Sequence, residues 1–100
     1  LILSGRVFSA EDAYHWGLVN AVLPADELIP HAMAIATQIA ANAPIAVRQA
    51  KQAIDRGQDM GLAAGMAFEI ECYNRTVGTD DRREGVRAFN EKRTAQFTGK

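Results

Sequence analysis

A chain of 100 residues with formal net charge −1 and a pI of about 6.1 carries no global field that would gather nucleic acid or an anionic membrane. That length allows one domain at most, and a chain of this size buries only about two-thirds of its unfolded surface, so a partner surface matters to it. The single Cys72 excludes an internal disulfide, and no apolar run approaches the ~20 residues of a bilayer span. Leu1 stands inside an apolar run with no initiator Met and no signal-peptide pattern, which predicts a segment cut within or just after a packed element.

In chain order, Leu1–Leu3 reads as the tail of a helix stopped by Ser4-Gly5. Ser9, with Asp12 three residues on, forms a variant capping box that opens a short helix over Ala10–Trp16, and Gly17 ends it. Leu18–Leu23, closed by Pro24, is a strand or an extended linker. Leu28, Ala32, Ile35 and Ile39 then mark one apolar stripe of a helix expected to start at Ile29 or Pro30, where a missing N–H costs little. Pro44 starts the next helix, which carries Val47, Ala50 and Ile54 and stops at Gly57. Asp59 is the expected cap of a fourth helix, with the stripe Leu62, Met66, Ile70, Tyr73 and Val77. Gly61 and Gly65 weaken that helix by about 1 kcal/mol each against Ala, so their presence suggests close contact with another backbone. Gly78 ends it, and Thr79 caps a last helix whose first turn holds Asp80 and Asp81. The fold class of this segment is therefore all-α.

The last helix, taken to run on through Glu91, Lys92 and Arg93, has a thin apolar stripe of Val86, Ala88 and Phe89. Its own burial cannot hold such a helix in a small isolated domain, which predicts docking on the rest of the chain or on a second subunit.

Few residues suggest chemistry by themselves. His15 and His31 lack a second ligand at metal spacing, so no metal site is expected. Cys72 has no cationic neighbour in sequence and fits a small core residue better than a nucleophile. Glu69 and Glu71, two apart, face different sides of their helix and form no carboxylate pair. The run Asp80-Asp81-Arg82-Arg83-Glu84 is explained by a solvated helix start with i,i+3 pairs such as Asp80–Arg83 and Glu84–Arg87.

Several fragments recur together: Leu3-Ser4-Gly5, Ala10-Glu11, Ala13, Trp16-Gly17-Leu18-Val19-Asn20, and Val22 with Pro24. Lys51, Gly57 and Glu69 precede a closing Asp80-Asp81-Arg82-Arg83-Glu84-Gly85, then Ala88-Phe89-Asn90-Glu91-Lys92-Arg93 and Phe97. In this order and spacing, which covers nearly the whole chain, the sequence resembles the C-terminal third of the crotonase (enoyl-CoA hydratase/isomerase) family. Leu1–Val7 and Phe68–Thr76 lean towards the subgroup that hydrates methylglutaconyl-CoA and related branched enoyl-CoAs.

The resemblance implies the C-terminal helical, trimerising part of a β/α-spiral fold. Residues 1–23 would end the spiral core and connect it, and residues 24–100 would form a helical oligomerisation domain. It also implies a parent enzyme that adds water to a 2-enoyl-CoA thioester, through two backbone N–H groups on the thioester oxyanion and two glutamates. All of those groups would fall before Leu1; Glu69, Glu71 and Glu84 do not match the catalytic positions, so no catalytic residue is assigned here. Coenzyme A would come as part of the substrate, with no separate cofactor. The expected partners are an acyl-CoA thioester and further copies of the chain in a trimer or dimer of trimers, with no nucleic acid, membrane or metal. The location implied is the bacterial cytoplasm or the mitochondrial matrix. Three positions carry over: Tyr73 as a residue lining the acyl pocket, and Phe89 and Lys92 at a neighbouring subunit's CoA moiety. Core packing for Tyr73 and Phe89 and a solvated charge for Lys92 are the competing roles. Competing functions are another crotonase reaction, such as enoyl-CoA isomerisation, and a non-catalytic acyl-CoA-binding or assembly module. A helical RNA-binding protein is disfavoured by the near-neutral charge.

Overall fold

The computed structural model describes residues 1–100 and contains helices without strands. They are α1 (Ala10–His15), α2 (Ala25–Ala40), α3 (Pro44–Gly57), α4 (Leu62–Val77) and α5 (Asp80–Asn90). The chain forms two units, Leu1–Ala34 and Ile35–Lys100, with the boundary inside α2.

In the first unit, local chemistry decides the structure. The capping box is present: the Asp12 N–H donates to Ser9 Oγ at 3.0 Å, and the Ser9 N–H donates to Asp12 Oδ2 at 3.3 Å. At the other end Gly17 takes φ +72°. The Gly17 N–H donates to the Tyr14 carbonyl at 3.0 Å and the Leu18 N–H to the Ala13 carbonyl at 2.8 Å, the paired bonds of a Schellman stop. Beside it the Trp16 ring lies 5.4 Å from Phe8, and the Arg6 guanidinium lies 5.4 Å over the Trp16 ring. Residues 2–5 make one turn, closed by the Gly5 N–H on the Leu1 carbonyl at 3.0 Å, and Gly5 takes φ +58°, the left-handed glycine stop expected there. Of strand or linker for Leu18–Leu23, the structure has the linker, bending through residues 18–20 with no regular structure after them.

α2 begins earlier than Ile29 or Pro30. Asp26 and Glu27 occupy its first turn, where acidic groups offset the helix dipole, and the Glu27 N–H donates to the Pro24 carbonyl at 3.0 Å. Pro30 therefore lies inside the helix and leaves the Asp26 carbonyl without its usual donor.

In the second unit α3 and α4 form a helical hairpin, but not along the stripes that look most apolar. The inward positions of α4 are Gly65, Phe68, Cys72 and Thr76; those of α3 include Ala46, Gln49, Ala53 and Gly57. Both sets step by three, four and four residues, the helical repeat. A Cβ on Gly65 would lie 3.4 Å from the Gly57 carbonyl oxygen, at the near edge of ordinary contact, so the two backbones run close at the hairpin end with room for no more than a small side chain. Further along, Arg56 lies over the Phe68 ring at 5.8 Å and Arg75 donates to Gln49 at 3.3 Å. The larger stripe of α4, Leu62, Met66, Ile70, Tyr73 and Val77, is exposed throughout, as are Leu28, Ile35 and Ile39 of α2 and Ile54 of α3. Asp59 does not cap α4. The helix starts later, at Leu62, so Gly61 stands at the N-cap without a side-chain bond, while the Asp59 N–H donates to the Arg56 carbonyl at 3.2 Å in the turn after α3.

α5 is capped as its sequence suggests, with the Arg82 N–H donating to Thr79 Oγ1 at 3.1 Å. It ends at Asn90 rather than running on through Arg93, and its buried face is Asp81, Glu84 and Ala88 rather than the Val86 and Phe89 side. The residues that follow fold back along this face as a strap.

Candidate functional site

The turn after α5 places two of the three expected ligand residues. Glu91 is the C-cap, and Lys92 takes φ +53°, the left-handed conformation that glycine adopts at far lower cost. The Lys92 N–H donates to the Phe89 carbonyl at 3.2 Å and the Arg93 N–H to the Ala88 carbonyl at 3.0 Å. These are the bonds Gly17 and Leu18 make at the end of α1. Phe89 and Lys92 are thus tied through the backbone, but they do not share a helix face, because Lys92 lies past the helix end. The Phe89 ring is 83% exposed, so it fills no core within this chain. Lys92 is also exposed and belongs to no ion pair.

Tyr73 lies elsewhere, on α4. It borders an open groove of about 560 Å³ between α3 and α4, whose walls include Ala46, Gln49, Ala53, Glu69 and the buried Cys72. Its phenol oxygen accepts from Arg82 at 3.4 Å, a long bond that ties α4 to the first turn of α5. Ala46, Ala53 and Cys72 make its floor apolar, and Tyr73, Gln49, Glu69 and Thr76 add polar edges.

The strongest electrostatics belong to residues that sequence reasoning passed over. Glu84 is buried, not solvated. Its Oε1 accepts from Arg93 Nη1 at 2.6 Å and from the Gln96 N–H at 2.9 Å; its Oε2 accepts from Arg93 Nη2 at 3.0 Å and Arg87 Nη2 at 2.5 Å. The Arg93 guanidinium, then Arg87, then the Gln96 N–H hold its carboxyl well below the usual carboxylate range. Glu84, followed by Glu91 at 2.6 Å, raises Arg93 above its ordinary value. One turn earlier, Asp81 accepts from the Thr98 N–H at 2.6 Å and the Gly99 N–H at 2.8 Å, while its own N–H donates to the Lys100 carbonyl at 3.1 Å. Residues 93–99 thus bind the helix face through two carboxylates, with Phe97 against Gly85 between them. The sequence did contain a signal: Asp81, Glu84 and Ala88 are spaced three and four apart, one face of a helix. The i,i+3 pairs Asp80–Arg83 and Glu84–Arg87 both form, at 2.6 and 2.5 Å. What was missed is the long-range partner.

His15 Nδ1 lies 2.7 Å from the Glu11 carbonyl, and no three His, Cys, Asp or Glu side chains are grouped to hold a metal ion.

The family model described as enoyl-CoA hydratase/isomerase matches residues 1–100. Human mitochondrial enoyl-CoA hydratase domain-containing protein 2 is 46% identical over 104 residues, which cover 100% of this chain and 36% of that protein. The 2,3-dehydroadipyl-CoA hydratase of Escherichia coli is 38% identical over 100 residues, covering 100% of this chain and 39% of the enzyme. The crystal structure of an enoyl-CoA hydratase from Bacillus anthracis superposes with a TM-score of 0.96 at 45% identity, over 100% of this chain and 39% of that one. The chain belongs to the enoyl-CoA hydratase/isomerase, or crotonase, family, and its helices are a helical segment of that fold. It spans under two-fifths of the length of these relatives.

Proposed function

We propose that this chain is the C-terminal part of an enzyme that adds water across the double bond of a 2-enoyl-CoA thioester, and that the segment serves assembly and closure of the CoA site. The observation that carries this reading is the match along the whole chain to proteins named as hydratases, in a segment whose large apolar side chains lie uncovered. Uncovered faces of this extent call for a partner surface. Here that surface is the rest of the enzyme and neighbouring copies in a trimer or a dimer of trimers.

In this reading Tyr73 lines the acyl pocket, the Phe89 ring packs on the adenine of a neighbour's CoA, and the Lys92 ammonium meets its phosphates. Coenzyme A arrives as part of the substrate, and no further cofactor is needed. Bacterial and mitochondrial relatives agree with a bacterial cytoplasmic or a mitochondrial matrix location.

The test is steady-state hydration of crotonyl-CoA and branched 2-enoyl-CoAs by the full-length protein, with residues 1–100 alone as the comparison. Turnover is expected for the full-length protein and none above background for the segment. Double-bond migration without hydration would make the enzyme an isomerase, and binding of acyl-CoA without turnover would make it an assembly module.

A further inference from the structure

Lys92 combines three features that rarely meet in one surface residue. It occupies the left-handed stop position where the same chain uses Gly17 after α1. Its side chain is exposed and has no acidic partner. Both of its chain neighbours are immobilised, since Glu91 accepts from Arg93 Nε at 2.6 Å and Arg93 in turn grips Glu84 with both terminal nitrogens. A lysine held in that conformation carries a Cβ clash that glycine would not, so strain is concentrated on a residue whose side chain forms no ion pair and whose structural bond is made by its backbone N–H.

The acids around it are already engaged. Glu91 is taken by Arg93, and Glu84 by Arg93 and Arg87. Neither carboxylate competes for the Lys92 ammonium, which therefore stays available to an external anion. A fork-to-fork guanidinium–carboxylate pair fixes direction as well as distance. Glu84 sits on α5, so the pair ties the helix to the backbone on the far side of Lys92.

We propose that Glu84 is a positioning residue for coenzyme A recognition: through Arg93 it fixes the left-handed backbone of Lys92 and aims the ammonium at a phosphate of the CoA moiety. The proposal rests on the reading of Lys92 as a CoA contact and adds a residue that touches no substrate.

A double-mutant cycle in the full-length protein separates the two ideas. Lys92→Ala keeps the left-handed residue but removes the ammonium, and is expected to raise KM for acyl-CoA about tenfold with kcat nearly unchanged. Glu84→Gln is expected to raise KM about threefold in the wild-type background and to have no effect in the Lys92→Ala background, the non-additivity of two groups acting as one. Glu84→Asp is the second variant should the amide fail to fold, with the same background dependence expected. Arg87→Gln, which removes a Glu84 partner away from Lys92, should leave KM within about twofold. Equal KM effects of Glu84→Gln in both backgrounds, or an Arg87→Gln effect as large, would overturn the positioning role while leaving the CoA contact in place. An unchanged KM for Lys92→Ala would overturn the CoA contact itself, and the positioning role with it.

Discussion

Glu84 and Arg93 are nine residues apart in sequence and meet through two parallel bonds, Nη1 to Oε1 at 2.6 Å and Nη2 to Oε2 at 3.0 Å. This pair sets the acid limit of the strap. The folded carboxyl titrates far below the ordinary glutamate value of 4.5, because Arg93, Arg87 and the Gln96 N–H all favour the charged form. A depressed folded value means that the stabilisation is fully present above pH 4.5 and is lost progressively as pH falls below it, towards the folded value. Arg93, whose value is raised, keeps its charge throughout and adds no alkaline limit in the working range. Urea melts of the full-length protein between pH 7 and pH 3 should therefore show a steep acid limb, and Glu84→Gln should flatten it. An acid limb that is unchanged in the variant would place the acid sensitivity elsewhere.

Asp81 anchors the far end of the same strap. It is 2% exposed and accepts two backbone N–H bonds, from Thr98 and Gly99. Hydrogen bonds to a charged acceptor contribute about 1.5–3 kcal/mol, and truncating the acceptor strands the two donors. Asp81→Ala should destabilise by about 1–3 kcal/mol. Hydrogen exchange should quicken at Thr98 and Gly99 while the α3–α4 hairpin stays protected; a uniform loss of protection would mean that the strap is part of one cooperative unit with the hairpin.

Helix content was legible in the sequence wherever local chemistry decides. Ser9 and Asp12, Pro44, and Thr79 mark their helix starts because a cap or a missing N–H acts on its own turn. Pro30 and Asp59 misled because each is compatible with more than one turn, and the choice is made by neighbours. The packed face of α4 was also hidden. Leu62, Met66, Ile70, Tyr73 and Val77 make the more apolar stripe, yet Gly65, Phe68, Cys72 and Thr76 face α3, because Gly65, Cys72 and Thr76 are small enough to permit the closer approach. Glu84 was read as solvated since i,i+3 pairing explains its charge locally, and nothing local reports that Arg93 and Gln96 return to it.

The hairpin contact gives a graded test of that packing. Alanine at position 65 would bring its Cβ to 3.4 Å from the Gly57 carbonyl oxygen, at the near edge of ordinary contact. Gly65→Ala should be neutral to stabilising, up to the ~1 kcal/mol difference in helix propensity. Gly65→Val adds two methyl groups against backbone and should destabilise by about 1–3 kcal/mol. Thermal melts of both variants check the ordering, and a Val variant as stable as the Ala variant would show that the two backbones can separate freely.

Lys92 offers the sharpest prediction because its two roles pull in opposite directions. At φ +53° a lysine suffers the Cβ clash that glycine avoids, and the Schellman bonds to Phe89 and Ala88 use only backbone atoms. Lys92→Gly keeps those bonds and relieves the clash, so it should stabilise the full-length protein by about 1 kcal/mol, visible as a raised urea midpoint at unchanged slope. An ordinary surface lysine would show that gain and nothing else. If the ammonium meets a phosphate of CoA, the same variant should raise KM for acyl-CoA about tenfold, equivalent to ~1.4 kcal/mol, while kcat changes little because the contact is the same in ground and transition states. A variant that is more stable yet binds substrate more weakly would mean that the strain at position 92 serves recognition. Greater stability with KM unchanged would leave Lys92 as a costly helix stop with no part in binding.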